Sequence, residues 1–199
     1  LRTFSESGSK ILVGTQMIAK GLDISSVSFV GVISADTGLS LPDFRANERV
    51  FQILTQVIGR AGRGQKRGKA IIQTFNPENI AIQQAANQDY MGFYNSEIHI
   101  RSRYTNPPFT KLIKLVYSAR DEKKGLSEVN NTMRIIKNAM ELYGETSNII
   151  LGPSPAYPYK IRNYYRWQII IKGISPQRIV DIVKPKNDWF IDVDPLVIS

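Results

Sequence analysis

Apolar and polar positions follow two rhythms over the first hundred residues. Short apolar runs at 11–13 (ILV), 28–34 (SFVGVIS) and 69–75 (KAIIQTF) are bounded by glycine or polar turn residues, and each predicts a strand. Between the second and third runs, residues 45–58 (RANERVFQILTQVI) repeat Val50, Leu54, Val57 and Ile58 at helical spacing and predict a core-facing helix. Another helix is expected after Asn76-Pro77, with Ile80, Ile82 and Ala85 apolar, continuing with a break through 90–103. Strands alternating with helices describe a parallel α/β layer.

Asn106-Pro107-Pro108 ends this pattern, because a residue before proline is driven out of the α region and proline has no N–H for a ladder. A boundary is therefore expected there, dividing the chain into domains 1–104 and 105–199. The second part predicts strand 111–118, helix 123–142, strand 149–151, strand 165–172, helix 176–183 and strand 189–193. That order is βαββαβ, a small α+β domain of the split-βαβ type. Met133, Ile135, Ile136 and Met140 form a stripe on its first helix that reads as core packing.

Composition narrows the function. With 42% hydrophobic and 22% charged residues in 199, the chain has globular usage and can bury a core. The absence of cysteine rules out a disulfide framework, and a single histidine leaves no His/Cys zinc site within the chain. His99 reads as a surface or helix-end residue. No apolar run approaches the roughly 18 residues of a membrane span, and residues 1–10 (LRTFSESGSK) lack the order of a signal peptide. A cytoplasmic protein without a membrane partner is expected. The opening without Met, on a polar stretch leading into an apolar run, reads as part of a longer protein.

Charge points to phosphate polymers or anionic lipid. The net +9 is uneven: residues 1–100 carry 10 basic and 8 acidic side chains, residues 101–199 carry 16 and 9. In the basic half, Lys160, Arg162 and Arg166 interleave with tyrosines and Trp167, a mixture that can neutralise phosphates and stack on unpaired bases. For Tyr165 and Trp167 the competing reading is a strand whose alternate rings are core. Lys160 and Arg162 are expected on a loop after Pro158.

Two motifs carry sharper chemistry. Gly14-Thr15-Gln16-Met17-Ile18-Ala19-Lys20-Gly21-Leu22-Asp23 follows the first predicted strand, so its N–H groups and the Thr15 hydroxyl would lie at a strand's carboxyl end, where α/β sheets take phosphate. In Gln56-Val57-Ile58-Gly59-Arg60-Ala61-Gly62-Arg63-Gly64, residues Gln56, Arg60 and Arg63 share a helix face if the helix survives its glycines. The alternative is a solvated basic helix end that complements the helix dipole.

In this order the two segments resemble motifs V and VI of superfamily 2 helicases, found in the second RecA-like lobe. More closely, residues 11–21, Asp43-Phe44-Arg45-Ala46 with Glu48-Arg49, and residues 56–63 are similar to the primosomal protein N-prime family of bacterial replication-restart helicases. Pro107-Pro108-Phe109, Leu151-Gly152-Pro153, Arg166-Trp167-Gln168-Ile169 and Asp192-Val193-Asp194-Pro195 resemble that family's C-terminal domain.

The resemblance implies a partial RecA-like lobe followed by a DNA-binding domain, in a 3′–5′ DNA helicase that recognises branched forks and starts primosome assembly. Arg60 and Arg63 would be arginine fingers, a role that can contribute roughly 10³ to 10⁵ in rate. Gln56 would couple nucleotide to lobe closure, and Gly21 and Asp23 would line the nucleotide cleft. Gly14, Thr15, Lys160, Arg162, Arg166 and Trp167 would contact DNA. ATP and Mg²⁺ would be held mainly by a first lobe, whose Walker A lysine and acidic pair this sequence lacks. Residues 64–70 (GQKRGKA) fail the P-loop spacing, and Asp121-Glu122 reads as a turn.

The family's zinc-binding cysteines lie upstream of motif V, so no metal is expected here. Implied partners are forked and single-stranded DNA, single-strand-binding protein and other primosome proteins. The chain alone is expected to hydrolyse no ATP. Rival readings are a non-catalytic nucleic-acid-binding module and an RNA helicase of the same superfamily.

Overall fold

Two of the three apolar runs in the first half pair in parallel, β1 (Phe29–Val32) with β2 (Lys69–Ile72), Phe29 opposite Lys69 and Val32 opposite Ile72. The computed structural model describes residues 11–15, 27–61 and 68–198. The chain divides into two compact units, Leu1–His99 and Ile100–Ser199.

In the first unit, the expected helix is α1 (Ala46–Ile58). Its Val50, Phe51 and Leu54 bury against Ala81, Ile82 and Ala85 of α2 (Ile80–Ala86) and Phe93 of α3 (Tyr90–Arg103). Phe51 and Phe93 stack with ring centroids 4.1 Å apart. The side chain of Asn79 caps α2, accepting from the N–H groups of Ala81 at 2.9 Å and Ile82 at 3.3 Å. Ahead of α1, the Asp43 carboxylate accepts from the Arg45 N–H at 2.9 Å and pairs with Arg49 at 3.1 Å.

Both strands end earlier than their apolar runs. Ser34 turns the chain with φ 60°, and beyond it the Asp36 carboxylate accepts from the Thr74 hydroxyl at 2.7 Å and the Phe75 N–H at 3.0 Å. These side-chain bonds replace the ladder. They also hold the Asp36 carboxyl below its ordinary 3.8, the Thr74 hydroxyl contributing most.

The strand expected at 11–13 is not formed. Residues 11–15 lie in no regular element, with Ile11 91% and Val13 83% exposed. A three-residue run becomes a strand only where neighbours take up its backbone groups, and the described sheet of this unit contains β1 and β2 alone.

The second unit runs β3 (Lys111–Ala119), α4 (Glu122–Leu142), β4 (Ile149–Ile161), β5 (Tyr164–Gly173), α5 (Pro176–Val183) and β6 (Trp189–Val193). The sheet order is β4-β5-β3-β6 with antiparallel neighbours throughout. Ile113 and Leu115 of β3, with Ile169 and Ile171 of β5, share a core with Val129 and Ile136 of α4 and Ile179 and Val180 of α5. Asp121 caps α4 by accepting from the Lys124 N–H at 2.8 Å. Of the apolar stripe, Ile136 is buried and Met133 and Met140 pack against the core, whereas Ile135 is 45% exposed. One residue is 100° of helix rotation, enough to carry Ile135 off the buried face.

The largest departure is β4, expected over three residues and found to continue to Ile161. Pro153, Pro155 and Pro158 lack the N–H that a central strand needs, but β4 is an edge strand, where a missing N–H can face outward. The register shifts twice, between Leu151 and Ser154 and between Pro155 and Lys160. At the first shift Gly152 has φ 110°, and a Cβ there would come within 2.8 Å of the Gln168 carbonyl, so the close approach requires glycine. Lys160 is therefore a strand residue rather than a loop residue, and Arg162 lies in the turn that follows.

Candidate nucleic-acid interface

The basic segment folds as a hairpin. Ile161 pairs with Tyr164, leaving Arg162 (φ 48°) and Asn163 (φ 65°) as a two-residue turn with both residues left-handed, the form that matches strand twist. Because β3 pairs with β5 and its last pair is Ala119 with Tyr165, Arg120 emerges beside Tyr164. Its Nε donates to the Tyr164 hydroxyl at 3.1 Å, and its guanidinium carbon lies 5.3 Å from that ring centroid. On β4, Lys160 Nζ donates to the Tyr165 hydroxyl at 3.2 Å and stands 4.5 Å from the ring centroid.

Arg120, Lys160, Arg162, Asn163 and Tyr165 together line an open cleft of about 430 Å³. The lining has three cations and no carboxylate. The acids next to Arg120 in sequence are engaged elsewhere, Asp121 in its helix cap and Glu122 with the Tyr159 hydroxyl at 2.7 Å. Partial burial, and then this bond, push the Tyr159 hydroxyl up to about 12.

Other residues of the basic segment have different surroundings. Trp167 is 9% exposed, belongs to the core and meets Tyr159 edge-on at 5.3 Å, so its ring has no free face for a base and the expectation of DNA stacking is corrected. Strand alternation points it to the helix side of the sheet. Arg166 donates to the carbonyls of Pro158 at 3.1 Å and Tyr157 at 3.4 Å, holding the bulged stretch of β4. Lys172, further along β5, donates to the Tyr104 carbonyl at 2.6 Å and Asn106 Oδ1 at 2.8 Å, and desolvation lowers its pKa. Its ammonium ties the connection after α3 to β5.

In the first unit, Gly14 and Thr15 are exposed outside any regular element. Gln56 lies on α1, but the helix stops at Ile58. Arg60 follows in a tighter turn, with its N–H on the Val57 carbonyl at 3.0 Å and that of Ala61 on Ile58 at 3.0 Å. Gly59 is the C-cap in a right-handed conformation (φ −64°), so Gln56 and Arg60 are joined across the helix end by a tightened turn rather than by continuous α-helix. Gly21, Asp23 and Arg63 lie outside the described residues. Sequence reasoning missed Arg120, Asn163 and the tyrosine hydroxyls. The available signal for Arg120 was its place just beyond an apolar run whose partner strand follows the basic turn.

Among the described residues, no group of three or more His, Cys, Asp or Glu side chains is placed to hold a metal, and no helix is long and apolar enough to cross a membrane.

Residues 1–65 match the helicase conserved C-terminal domain, and residues 103–196 match the primosomal protein N C-terminal domain. The chain is similar to the replication restart protein PriA of Synechocystis, 40% identical over 206 residues, covering 100% of this chain and 24% of that protein. Similarity to the PriA of Bacillus subtilis is 42% identity over 184 residues, 92% of this chain and 22% of that protein. For Chlamydia pneumoniae PriA it is 36% over 205 residues, 98% and 27%. The chain thus spans about a quarter of the length of these relatives. With a helicase domain followed by the primosomal domain, and relatives of one name along nearly its whole length, the chain belongs to the replication restart protein PriA family.

Proposed function

We propose that this chain is the C-terminal part of an ATP-dependent 3′–5′ DNA helicase that recognises branched replication forks and initiates primosome assembly. On this reading residues 1–104 end a second RecA-like motor lobe, and residues 105–199 form a split-βαβ DNA-binding domain. The carrying observation is the order of the two family matches, helicase domain before primosomal domain. The cationic cleft of the second unit supports DNA as the substrate. Single-strand-binding protein and other primosome proteins are the expected partners, and the cytoplasm the expected compartment.

ATP and Mg²⁺ fit this chain only in part. The Gln56 amide and the half-buried Arg60 guanidinium suit phosphate oxygens, but the sequence has no Walker A lysine to complete a site. Bound nucleotide supplies the energy of hydrolysis. Arg60 and Arg63 would stabilise phosphate charge, with Gly21, Asp23 and Gln56 lining the same cleft, and the chain alone turns over no ATP. Zinc belongs to the upstream part of the full-length protein. Gly14, Thr15, Lys160 and Arg162 would hold DNA phosphates.

The deciding measurement is forked-DNA-stimulated ATP hydrolysis by the full-length protein, comparing native enzyme with Arg63→Ala at matched DNA occupancy. A rate loss of roughly 10³-fold with intact DNA binding is expected. Normal hydrolysis would transfer the finger role to Arg60, and no hydrolysis by either protein would leave a non-catalytic binding module.

A further inference from the structure

Resting on the DNA-binding reading, we infer that the cleft beside the β4–β5 turn is a preorganised clamp for a phosphodiester group. In it Arg120, Lys160 and Arg162 supply charge, and the Tyr164 and Tyr165 hydroxyls are positioning groups. Long exposed cations ordinarily lose rotamer freedom when they grip a phosphate. Here Arg120 is already held by Tyr164 at 3.1 Å and Lys160 by Tyr165 at 3.2 Å, each also close to the ring that holds it.

The identity of the holding groups matters. A carboxylate would fix these cations and cancel their charge, whereas a phenol accepts the hydrogen bond and leaves the charge in place. Arg120 uses Nε for Tyr164, so its terminal nitrogens remain for a bidentate phosphate contact, and the Lys160 ammonium keeps two further donors. Arg162 is carried to the rim by the turn, and the Asn163 amide adds a neutral donor. With Asp121 and Glu122 engaged on α4 and with Tyr159, no carboxylate of the lining competes with an incoming anion.

The test uses the 199-residue chain and fluorescence anisotropy with a labelled oligothymidylate and a duplex of equal length, titrated across salt concentrations. The triple variant Arg120→Gln, Lys160→Gln, Arg162→Gln is expected to flatten the dependence of log affinity on log salt by about 2 on the single strand. The double variant Tyr164→Phe, Tyr165→Phe keeps every charge and ring, and is expected to bind roughly tenfold more weakly at an unchanged slope. A double variant that binds like the native chain overturns the clamp, even if the triple variant keeps the DNA reading alive. An unchanged slope in the triple variant, on both probes, removes DNA from this surface altogether. Loss by the triple variant of binding to polyglutamate but not to either DNA would reassign the surface to an acidic protein.

Discussion

The Tyr159 hydroxyl donates to the Glu122 carboxylate at 2.7 Å, fastening the bulged part of β4 to the first turn of α4. Partial burial and this bond raise the phenol from 10.0 to about 12, so the folded chain holds that proton more tightly than the unfolded one. The stabilisation is complete below pH 10 and declines as pH rises through 10 toward about 12. Urea midpoints of the native chain and Tyr159→Phe should therefore differ at neutral pH and converge above pH 10. A gap independent of pH would disprove the linkage.

At the acid end Asp36 acts with the opposite sign. Its depressed pKa gives stability that is present above 3.8 and lost as pH falls through the folded value. Asp36→Asn should flatten the acid limb of the melting temperature against pH. An unaltered limb would show that the Thr74 and Phe75 bonds do not discriminate between protonation states.

Asp43 and Arg49 form an ion pair in which the Asp43 side chain is 0% exposed and the Arg49 side chain 30% exposed. Arg49→Met should cost about 2 kcal/mol, less than the roughly 3–5 kcal/mol of breaking a fully buried pair, because water reaches Arg49. Chemical denaturation monitored by circular dichroism measures it; a change below about 0.5 kcal/mol would make the pair incidental to folding.

Ile135 and Ile136 are adjacent on α4 but differently placed, the first 45% and the second 1% exposed. Ile136→Ala should destabilise by about 2–5 kcal/mol and Ile135→Ala by no more than about 0.5 kcal/mol. Equal losses would contradict the orientation of α4.

Trp167 and Trp189, the chain's two tryptophans, are 9% and 6% exposed. Their emission should be blue-shifted and little changed by saturating oligothymidylate. Strong quenching on binding would return Trp167 to the stacking role that its burial argues against.

Legibility followed the range of the interactions. The helix at 46–58 and the strands at 69–72 and 189–193 were visible in the sequence because apolar periodicity reports which face is buried. The run at 11–13 had the same local signal, but the described sheet of its unit, β1 with β2, does not take it up. Prolines concealed β4, since a breaker in a central strand is acceptable at an edge, and edge position is a property of the whole sheet. Trp167 was ambiguous for a related reason: alternation predicts two faces without saying which one the helices cover.

Family membership, the excess of basic side chains in the second half and the presence of Lys160 and Arg162 were determined by sequence alone, because motifs, charge and composition are carried residue by residue. The cleft was decided by tertiary structure. Arg120 is separated from Tyr164 by 44 positions, and only the antiparallel register of β3 on β5 brings its Nε within 3.1 Å of that hydroxyl. Strand pairing satisfies backbone groups over long sequence separations, so the side chains that meet at a strand's end are set by register rather than by local sequence.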